Sequence, residues 1–165
     1  MKLTGTYNGK AIELELTEEQ VKILEQADKK KTGWERANYK EEYYNEYGFP
    51  LIETGNCVDD IKFKESEYFS NKILAENICK AQNLQRKLWR RSAELCEKMN
   101  WEDSTIKKYS IYYNYDIGSL RTSCTSFYRG LGEIYFDTKE HAEQVMEEFR
   151  DELIWYFTKF ESRMD

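Results

Sequence analysis

The fold is decided by two stretches of sequence, YFSNKILAE at residues 68–76 and YFDTKEHAE at residues 135–143. Each starts with a Tyr-Phe pair suited to the end of a strand and continues with a Ser or an Asp, residues that favour a helix N-cap. Tyrosine-rich segments precede them at similar distances, Tyr43-Tyr44-Asn45 in the first copy and Tyr112-Tyr113-Asn114 in the second. The chain therefore contains an internal repeat, and each copy predicts a β-loop-β-α unit.

Each repeat ends in a helical segment with an apolar stripe at a period near 3.6 residues. In the second copy the stripe consists of Ala142, Val145, Met146, Phe149, Leu153, Tyr156, Phe157 and Phe160. In the first copy it consists of Leu74, Ile78, Ala81, Leu88, Leu95 and Met99. The first segment covers about 28 residues, or about 42 Å of helix. We expect both helices to pack on antiparallel sheet, and part of the first to project and pair with another helix or a second copy of the chain.

The N-terminal residues predict a β-hairpin followed by a short helix. Residues 3–7 and 10–16 alternate apolar and polar side chains around Asn8-Gly9, a dipeptide that favours a two-residue type I′ turn. Thr17 and Gln20 then match a capping box at the start of an amphipathic helix that ends at Lys29-Lys30-Lys31.

The chain has the size of one domain, with 165 residues of which 40% are hydrophobic and 15% aromatic. We predict an α+β protein in one compact unit with three parts: the hairpin and helix at 1–31, the first repeat at 32–100 and the second at 101–165. No apolar run approaches the roughly 20 residues of a membrane span, and the N-terminus lacks the apolar segment of a signal peptide. We therefore expect no membrane partner and a cytoplasmic location.

Cysteine and histidine content argues against a metal site and a catalytic centre. The four cysteines are Cys57, Cys79, Cys96 and Cys124. They form no CxxC pair and have only His141 to join them, so we expect free, mostly buried thiols and no zinc site. His141 is expected in the first turn of the last helix, with a surface or packing role. The sequence contains no nucleophile elbow, P-loop or G-x-G-x-x-G motif, only the turn Gly130-Leu131-Gly132. We expect no enzyme activity and no cofactor.

Charge is distributed unevenly between the two long helices. Residues 80–98 contain six basic and two acidic residues, whereas residues 137–152 contain seven acidic and two basic ones. Either the helices complement each other or are solvated, or Arg86, Arg90 and Arg91 present guanidinium groups to the phosphates of a nucleic acid or a nucleotide. The net charge of −6 argues against a general nucleic-acid binder.

The thirteen tyrosines and four tryptophans also permit two interpretations. Strand propensity by itself enriches aromatic residues in strands. Alternatively, the residues Tyr43, Tyr44, Tyr112 and Tyr113 lie on an exposed sheet and contact a protein partner, because tyrosine buries a large area with little loss of entropy. Trp89, next to Arg90, is a further candidate for such a surface.

Several short motifs within residues 32–157 point to a known group of proteins. They are TGWER at 32–36, YFSNK and AE within 68–76, LWR at 88–90, GEIYF at 132–136 and E-x-A-E at 140–143. The set resembles a family of small proteins carried by phages and prophages of Firmicutes. The resemblance implies a phage accessory gene, a host cytoplasmic location and an anti-defence, anti-CRISPR-like role. It identifies no functional residue.

These observations favour a binding protein. The leading hypothesis is a non-enzymatic phage protein that inhibits a bacterial host defence factor, such as a CRISPR effector nuclease, by occupying its surface. The second is a protein that sequesters an immune nucleotide in a pocket lined by Arg86, Arg90 and aromatic side chains, at an interface between copies of the chain. The third is a structural or regulatory phage component without a ligand.

Overall fold

The computed structural model describes residues 2–7, 10–27 and 31–163, and it confirms the α+β class. These residues fall into two compact units, one within residues 1–32 and the other within residues 33–164. The strands are β1 (Lys2–Tyr7), β2 (Lys10–Glu15), β3 (Glu42–Asn45), β4 (Pro50–Ile52), β5 (Tyr68–Phe69), β6 (Lys108–Asn114), β7 (Ser119–Thr125) and β8 (Tyr135–Phe136). The helices are α1 (Glu18–Ala27), α2 (Cys57–Lys64), α3 (Lys72–Leu95), α4 (Lys139–Glu148) and α5 (Arg150–Lys159). Within the described residues, no helix is long and apolar enough to cross a membrane.

The first unit contains the predicted hairpin and helix. Strands β1 and β2 pair antiparallel, from Lys2 opposite Glu15 to Tyr7 opposite Lys10. The predicted type I′ turn falls on Asn8 and Gly9, which lie outside the described residues, as do Lys29 and Lys30 of the predicted helix end. The predicted capping box is confirmed. The Thr17 N–H donates to Gln20 Oε1 at 3.0 Å, and the Gln20 N–H donates to Thr17 Oγ1 at 3.3 Å.

The second unit contains two three-stranded antiparallel sheets with the same strand order. One is ordered β4-β3-β5 and the other β7-β6-β8, so the first strand along the chain is central in both. Each hairpin turn is closed by an asparagine side chain: Asn45 Oδ1 accepts from two backbone N–H groups, and so does Asn114 Oδ1. This common order agrees with an internal repeat, while superposition of the two copies stays a prediction.

The predicted alignment of the central strands holds at the hairpin turns, where Asn45 and Asn114 are equivalent, but not at the third strands. Phe69 pairs with Tyr44, whereas Phe136 pairs with Tyr109. By their partners on the third strand, Tyr44 therefore corresponds to Tyr109 and not to Tyr113. The physical reason is strand length, because β6 has seven residues and β3 has four. The third strand pairs next to the turn in β3, at Tyr44 and Asn45, but far from the turn in β6, at Tyr109 and Ser110, so no single alignment matches both the turns and the third strands.

The helices that follow the third strands each begin one residue later than predicted. The N-cap of α3 is Asn71 and that of α4 is Thr138, and each side chain accepts a backbone N–H of the first turn. The expected caps, Ser70 and Asp137, bond to other segments of the chain. The Tyr-Phe-to-helix junction was located correctly, but its capping residue was not.

The C-terminal helical segment is interrupted at Phe149. This residue has φ −111° and ψ 24° and separates α4 from α5. The apolar stripe expected from Ala142 to Phe160 is therefore divided between two helices. Leu153 is buried as predicted, whereas Phe149 and Phe157 are only half-buried against the core.

Helix α2 occupies a segment that the sequence predicted as a loop. It starts with a second capping box, in which Asn56 Oδ1 accepts the Asp59 N–H at 3.0 Å and Asp59 Oδ2 accepts the Asn56 N–H at 3.3 Å. Its apolar residues Val58, Ile61 and Phe63 are exposed. The helix therefore has no buried stripe that hydropathy could reveal.

Helix α3 connects the two apolar clusters of the second unit. Leu74 and Ala75 at its start pack with Phe69 in the first cluster. Leu84 and Leu88 further along belong to the second cluster, beneath β6 and β8. The helix has 24 residues, fewer than expected. Because it contributes buried side chains to both clusters, its length spans the two sheets and does not project beyond them.

Candidate functional site

The basic side of α3 pairs with the acidic helices. Arg91 donates to Glu148 at 2.9 Å and to Glu94 at 2.7 Å, and Lys87 lies 3.0 Å from Glu152. Hydrogen bonds to Glu94 and Glu148 raise the pKa of Arg91. The charge asymmetry is therefore largely architectural, and Arg91 is occupied by carboxylates rather than directed at a phosphate.

The remaining predicted residues of α3 do not converge on an anion site. Arg90 is exposed and lies 3.6 Å from Glu94, and Trp89 is exposed. Within the described part of the chain, the Arg86 side chain makes no hydrogen bond or ion pair. It lines a cavity of about 380 Å³ together with three glutamates, Glu46, Glu65 and Glu67. Glu46 and Glu67 also pair with Lys62, but Arg86 is the single basic residue among the described residues that line the cavity, and the three carboxylates there disfavour a bound phosphate.

Tyr43 lies in the core, so its predicted position on an exposed strand face is wrong. Its side chain is 1% exposed, and its ring stacks on that of Tyr68 with the centroids 3.8 Å apart. The Tyr43 hydroxyl donates to Asp59 Oδ1 at 2.8 Å, and burial together with this bond raises the pKa of Tyr43. The neighbouring Tyr44 is half-buried and donates to Glu42 at 2.8 Å. Tyr43 is thus removed from the set of contact residues.

Two buried carboxylates lie beside the stacked tyrosines. Glu53 accepts from the Tyr68 hydroxyl at 2.7 Å and from the Arg36 guanidinium at 3.0 Å. The bond from Arg36 lowers the pKa of Glu53 against the opposing effect of burial. Burial likewise favours the neutral form of Asp59, but hydrogen bonds from Thr54 and neighbouring donors lower the pKa of Asp59 to about 2. Both groups are ionised and well bonded, so the network stabilises the sheet and is poorly suited to proton transfer.

The second pair of predicted tyrosines lies on β6. Tyr113 is half-buried and packs against the second apolar cluster. Tyr112 is exposed and borders a groove. Of the four tyrosines predicted to contact a partner, Tyr112 is therefore the one that lines a cavity with an apolar wall.

This groove follows the free edge of β6. One edge of β6 pairs with β7 along its whole length. On the other edge the neighbouring strand among the described residues is β8, which pairs only with Tyr109 and Ser110. Continuing the same register would set residues 131–134 opposite residues 111–114, but the chain diverges from β6 before these pairs form. The gap holds a cavity of about 440 Å³. Ile111 and Tyr112 point to opposite faces of the strand and both line the cavity, so the groove wraps around the strand edge.

Apolar side chains from three directions line the groove. Leu84 and Leu88 come from α3, Leu153 and Phe157 from α5, and Leu131 from the segment that precedes β8. Leu131 is fully exposed, and the other exposed apolar side chains at the rim of the groove are aromatic. An exposed apolar rim beside an apolar cavity is typical of a binding surface.

The Tyr135 hydroxyl anchors the segment that diverges from β6. It accepts the Gly130 N–H at 2.8 Å and donates to the Glu133 carboxylate. From the sequence alone, Gly130-Leu131-Gly132 was predicted only to form a turn. The sequence did contain a signal for an exposed apolar residue here, because a leucine between two glycines has no neighbouring side chain to pack against.

The charge of the groove limits its ligands. Among its described lining residues Glu133 is the single charged side chain, and the lining includes no Lys or Arg. An anionic nucleotide would therefore meet a carboxylate and no cation. The groove suits an apolar segment or one with a basic residue near Glu133.

The thiols are free, as predicted, but the expectation that most are buried is wrong. Cys57 and Cys124 are exposed, and Cys79 and Cys96 are half-buried. His141 lies in the first turn of α4 and contacts Cys96 and Asp137. Among the described residues, these three form a group whose donor atoms all lie within 4.8 Å of one another. The sequence spacing had argued against such a grouping.

Neither a protein-family model, nor a curated protein, nor a solved structure matches this chain.

Proposed function

We propose that the chain is a non-enzymatic binding protein whose groove beside β6 receives an extended segment of a partner protein. The observation that carries this proposal is a strand edge at residues 111–114 that no described strand covers, whose first two residues, Ile111 and Tyr112, line an apolar cavity. An added strand bonds to the free main-chain groups, and its alternate side chains enter the cavity. Exposed strand edges are otherwise protected in natural proteins by charge, proline or a covering element.

The geometry defines the chemistry of the partner segment. It is extended, because the groove follows a strand. It carries apolar side chains at alternate positions, because one face of an added strand would meet Leu84, Leu88 and Leu153. Tyr112 and Leu131 would cover it from the rim. A basic residue at one end would pair with Glu133.

The resemblance to phage-borne proteins supports a bacterial host protein as the partner. In this proposal the chain inhibits a host defence factor, such as a CRISPR effector nuclease, by occupying its surface. The net charge of −6 favours encounter with the basic surface of a nucleic-acid enzyme. The distribution of charge in the Arg86 cavity and in the β6 groove gives the nucleotide-sequestering alternative no support.

The binding experiment compares two leucine-sized surface residues. Leu131 lines the groove and Ile117 lies in the exposed β6–β7 turn, so Leu131→Asp and Ile117→Asp make the same chemical change inside and outside the proposed site. A partner captured from a Firmicutes host lysate by the wild-type chain is identified, purified and titrated against both variants. We expect Leu131→Asp to weaken binding by about 30-fold or more and Ile117→Asp to leave it unchanged.

Two further measurements test the mode of binding and the consequence. Amide hydrogen exchange within residues 111–114 should slow when the purified partner binds, at those alternate residues whose N–H groups face away from β7, because an added strand bonds to them. In hosts with an active CRISPR system, the wild-type chain should protect the infecting phage and Leu131→Asp should not. In hosts without that system, neither chain should change the infection. Equal binding by the two aspartate variants, or unchanged exchange at residues 111–114, would refute the groove as the binding site.

A further inference from the structure

A second site lies where the end of α3 meets the start of α4. Cys96 is the C-cap of α3, Asp137 follows β8, and His141 lies in the first turn of α4. His141 Nδ1 lies 2.7 Å from Asp137 Oδ1 and 4.0 Å from Cys96 Sγ. A thiol, an imidazole and a carboxylate are the donor types that bind Zn²⁺ in proteins.

The distances are close to those of a bound zinc ion. In a tetrahedral site, bonds of about 2.3 Å to sulfur and 2.0–2.1 Å to nitrogen and oxygen separate the sulfur and nitrogen by about 3.5 Å and the nitrogen and oxygen by about 3.3 Å. The two separations in the structure differ from these values by about half an ångström each. Because the third pair, Cys96 Sγ and the Asp137 carboxylate oxygen, also lies within 4.8 Å, side-chain rotations can bring all three donor atoms onto one ion.

The backbone around the cluster holds its members in place independently of a metal. The Glu97 N–H donates to Asp137 Oδ2 at 3.0 Å, which leaves Asp137 Oδ1 directed at the ring. The Ser92 hydroxyl donates to the Tyr135 carbonyl at 2.7 Å and ties the end of α3 to β8. Outer bonds of this kind orient metal ligands.

We propose that Cys96, Asp137 and His141 form a Zn²⁺ site with one further coordination position open to water. Binding at His141 Nδ1 moves the proton that lies between Nδ1 and Asp137 Oδ1 through solvent to Nε2, and the Cys96 thiol releases its proton to solvent. The His141 and Asp137 side chains are 32% and 22% exposed, so solvent reaches the ion. This site is separate from the β6 groove and does not depend on the proposed partner.

The first experiment measures Zn²⁺ affinity of the full chain by competition with a chromophoric chelator. We expect one ion per chain and an affinity at least about 10-fold weaker in Cys96→Ser, Asp137→Asn and His141→Gln. The triple variant Cys57→Ser/Cys79→Ser/Cys124→Ser keeps Cys96 as its single cysteine and should bind as the wild type does. Unchanged affinity in Cys96→Ser, or loss of binding in the triple variant, would assign the zinc to other thiols and overturn the proposal.

A second experiment uses the wild-type chain alone, so it does not depend on the folding of variants. Alkylation with iodoacetamide is followed by peptide mass mapping, with Zn²⁺ and then with added EDTA. We expect Zn²⁺ to slow the alkylation of Cys96 about 10-fold or more and EDTA to restore it, while the exposed Cys57 reacts equally in both. Equal labelling of Cys96 with and without Zn²⁺ would leave a hydrogen-bonded His141–Asp137 pair beside a free thiol and refute the site.

Discussion

Adjacent tyrosines on β3 provide a matched test of the buried polar network. The hydroxyls of Tyr43 and Tyr44 each donate to a carboxylate at 2.8 Å, the first to Asp59 and the second to Glu42. Tyr43 and Asp59 are both buried, whereas Glu42 is exposed and Tyr44 half-buried. The substitutions Tyr43→Phe and Tyr44→Phe therefore remove the same atom from opposite environments.

The expected magnitudes differ because water replaces the lost donor in one case only. Tyr43→Phe leaves Asp59 Oδ1 without its hydroxyl donor inside the protein. A hydrogen bond to a charged group contributes about 1.5–3 kcal/mol, and we expect a loss in that range. Tyr44→Phe leaves a carboxylate that water solvates, so its loss should stay below about 0.5 kcal/mol. For a chain of this size, the Tyr43→Phe loss corresponds to a lower melting temperature by about 3–12 °C.

Urea unfolding, followed by circular dichroism, measures both variants. The midpoint should fall in Tyr43→Phe with an unchanged slope and stay constant in Tyr44→Phe. Equal midpoints for the two variants would refute the view that burial makes the Tyr43 hydrogen bond contribute more to stability than the Tyr44 bond.

The same pair predicts a pH dependence. The pKa of Asp59 is lowered from 3.8 to about 2 in the folded chain, so its contribution to stability is present above about pH 4 and is lost as pH falls towards 2. Tyr43→Phe removes one of the donors that lower this pKa, so the variant loses less stability on acidification. The gap between wild type and Tyr43→Phe should therefore narrow from pH 5 to pH 2.5, and a constant or widening gap would contradict the assignment.

Two further predictions concern packing. Phe136→Ala should lower the free energy of unfolding, measured in urea, by about 3–5 kcal/mol, because Phe136 is fully buried. Phe149→Ala should lower it clearly less, because Phe149 is half-buried. Equal losses would mean that the helix break does not expose Phe149. Gly33→Ala should destabilise the chain more than Gly55→Ala. Both glycines have positive φ, so the backbone strain of an alanine is common to both. A Cβ on Gly33 would lie 2.7 Å from Leu74 Cδ2, whereas a Cβ on Gly55 would meet no atom within 4 Å. Equal unfolding midpoints for the two alanine variants would show that Leu74 moves aside without cost.

The features predicted correctly from the sequence are those determined by residues a few positions apart. The β1–β2 hairpin follows from alternation around Asn8-Gly9, and the capping box of α1 follows from Thr17 and Gln20. The Tyr-Phe strands and the helices that follow them were located to within one residue at the cap. Local hydrogen bonds and side-chain periodicity suffice for such features, because their partners are neighbours in the chain.

Tertiary structure decided which of these residues are buried, paired or exposed. Tyr43 and Tyr44 are equivalent in the sequence pattern, and only the stacking on Tyr68 and the bond to Asp59 place Tyr43 inside. The pairing of Arg91 with Glu148 depends on two helices meeting, and their spacing in the chain does not reveal it.

Both candidate sites depend on contacts between distant segments. The groove exists because β8 pairs with two residues of a seven-residue strand and then diverges, a length mismatch that neither segment contains by itself. Cys96 and His141 are 45 positions apart and meet only because β8 brings the start of α4 to the end of α3. Sequence patterns were sufficient for the α+β class and for most of the elements, but not for α2 or for the break between α4 and α5. The registers between those elements, which set every long-range distance in the sites, were determined only when the sheets and helices packed together.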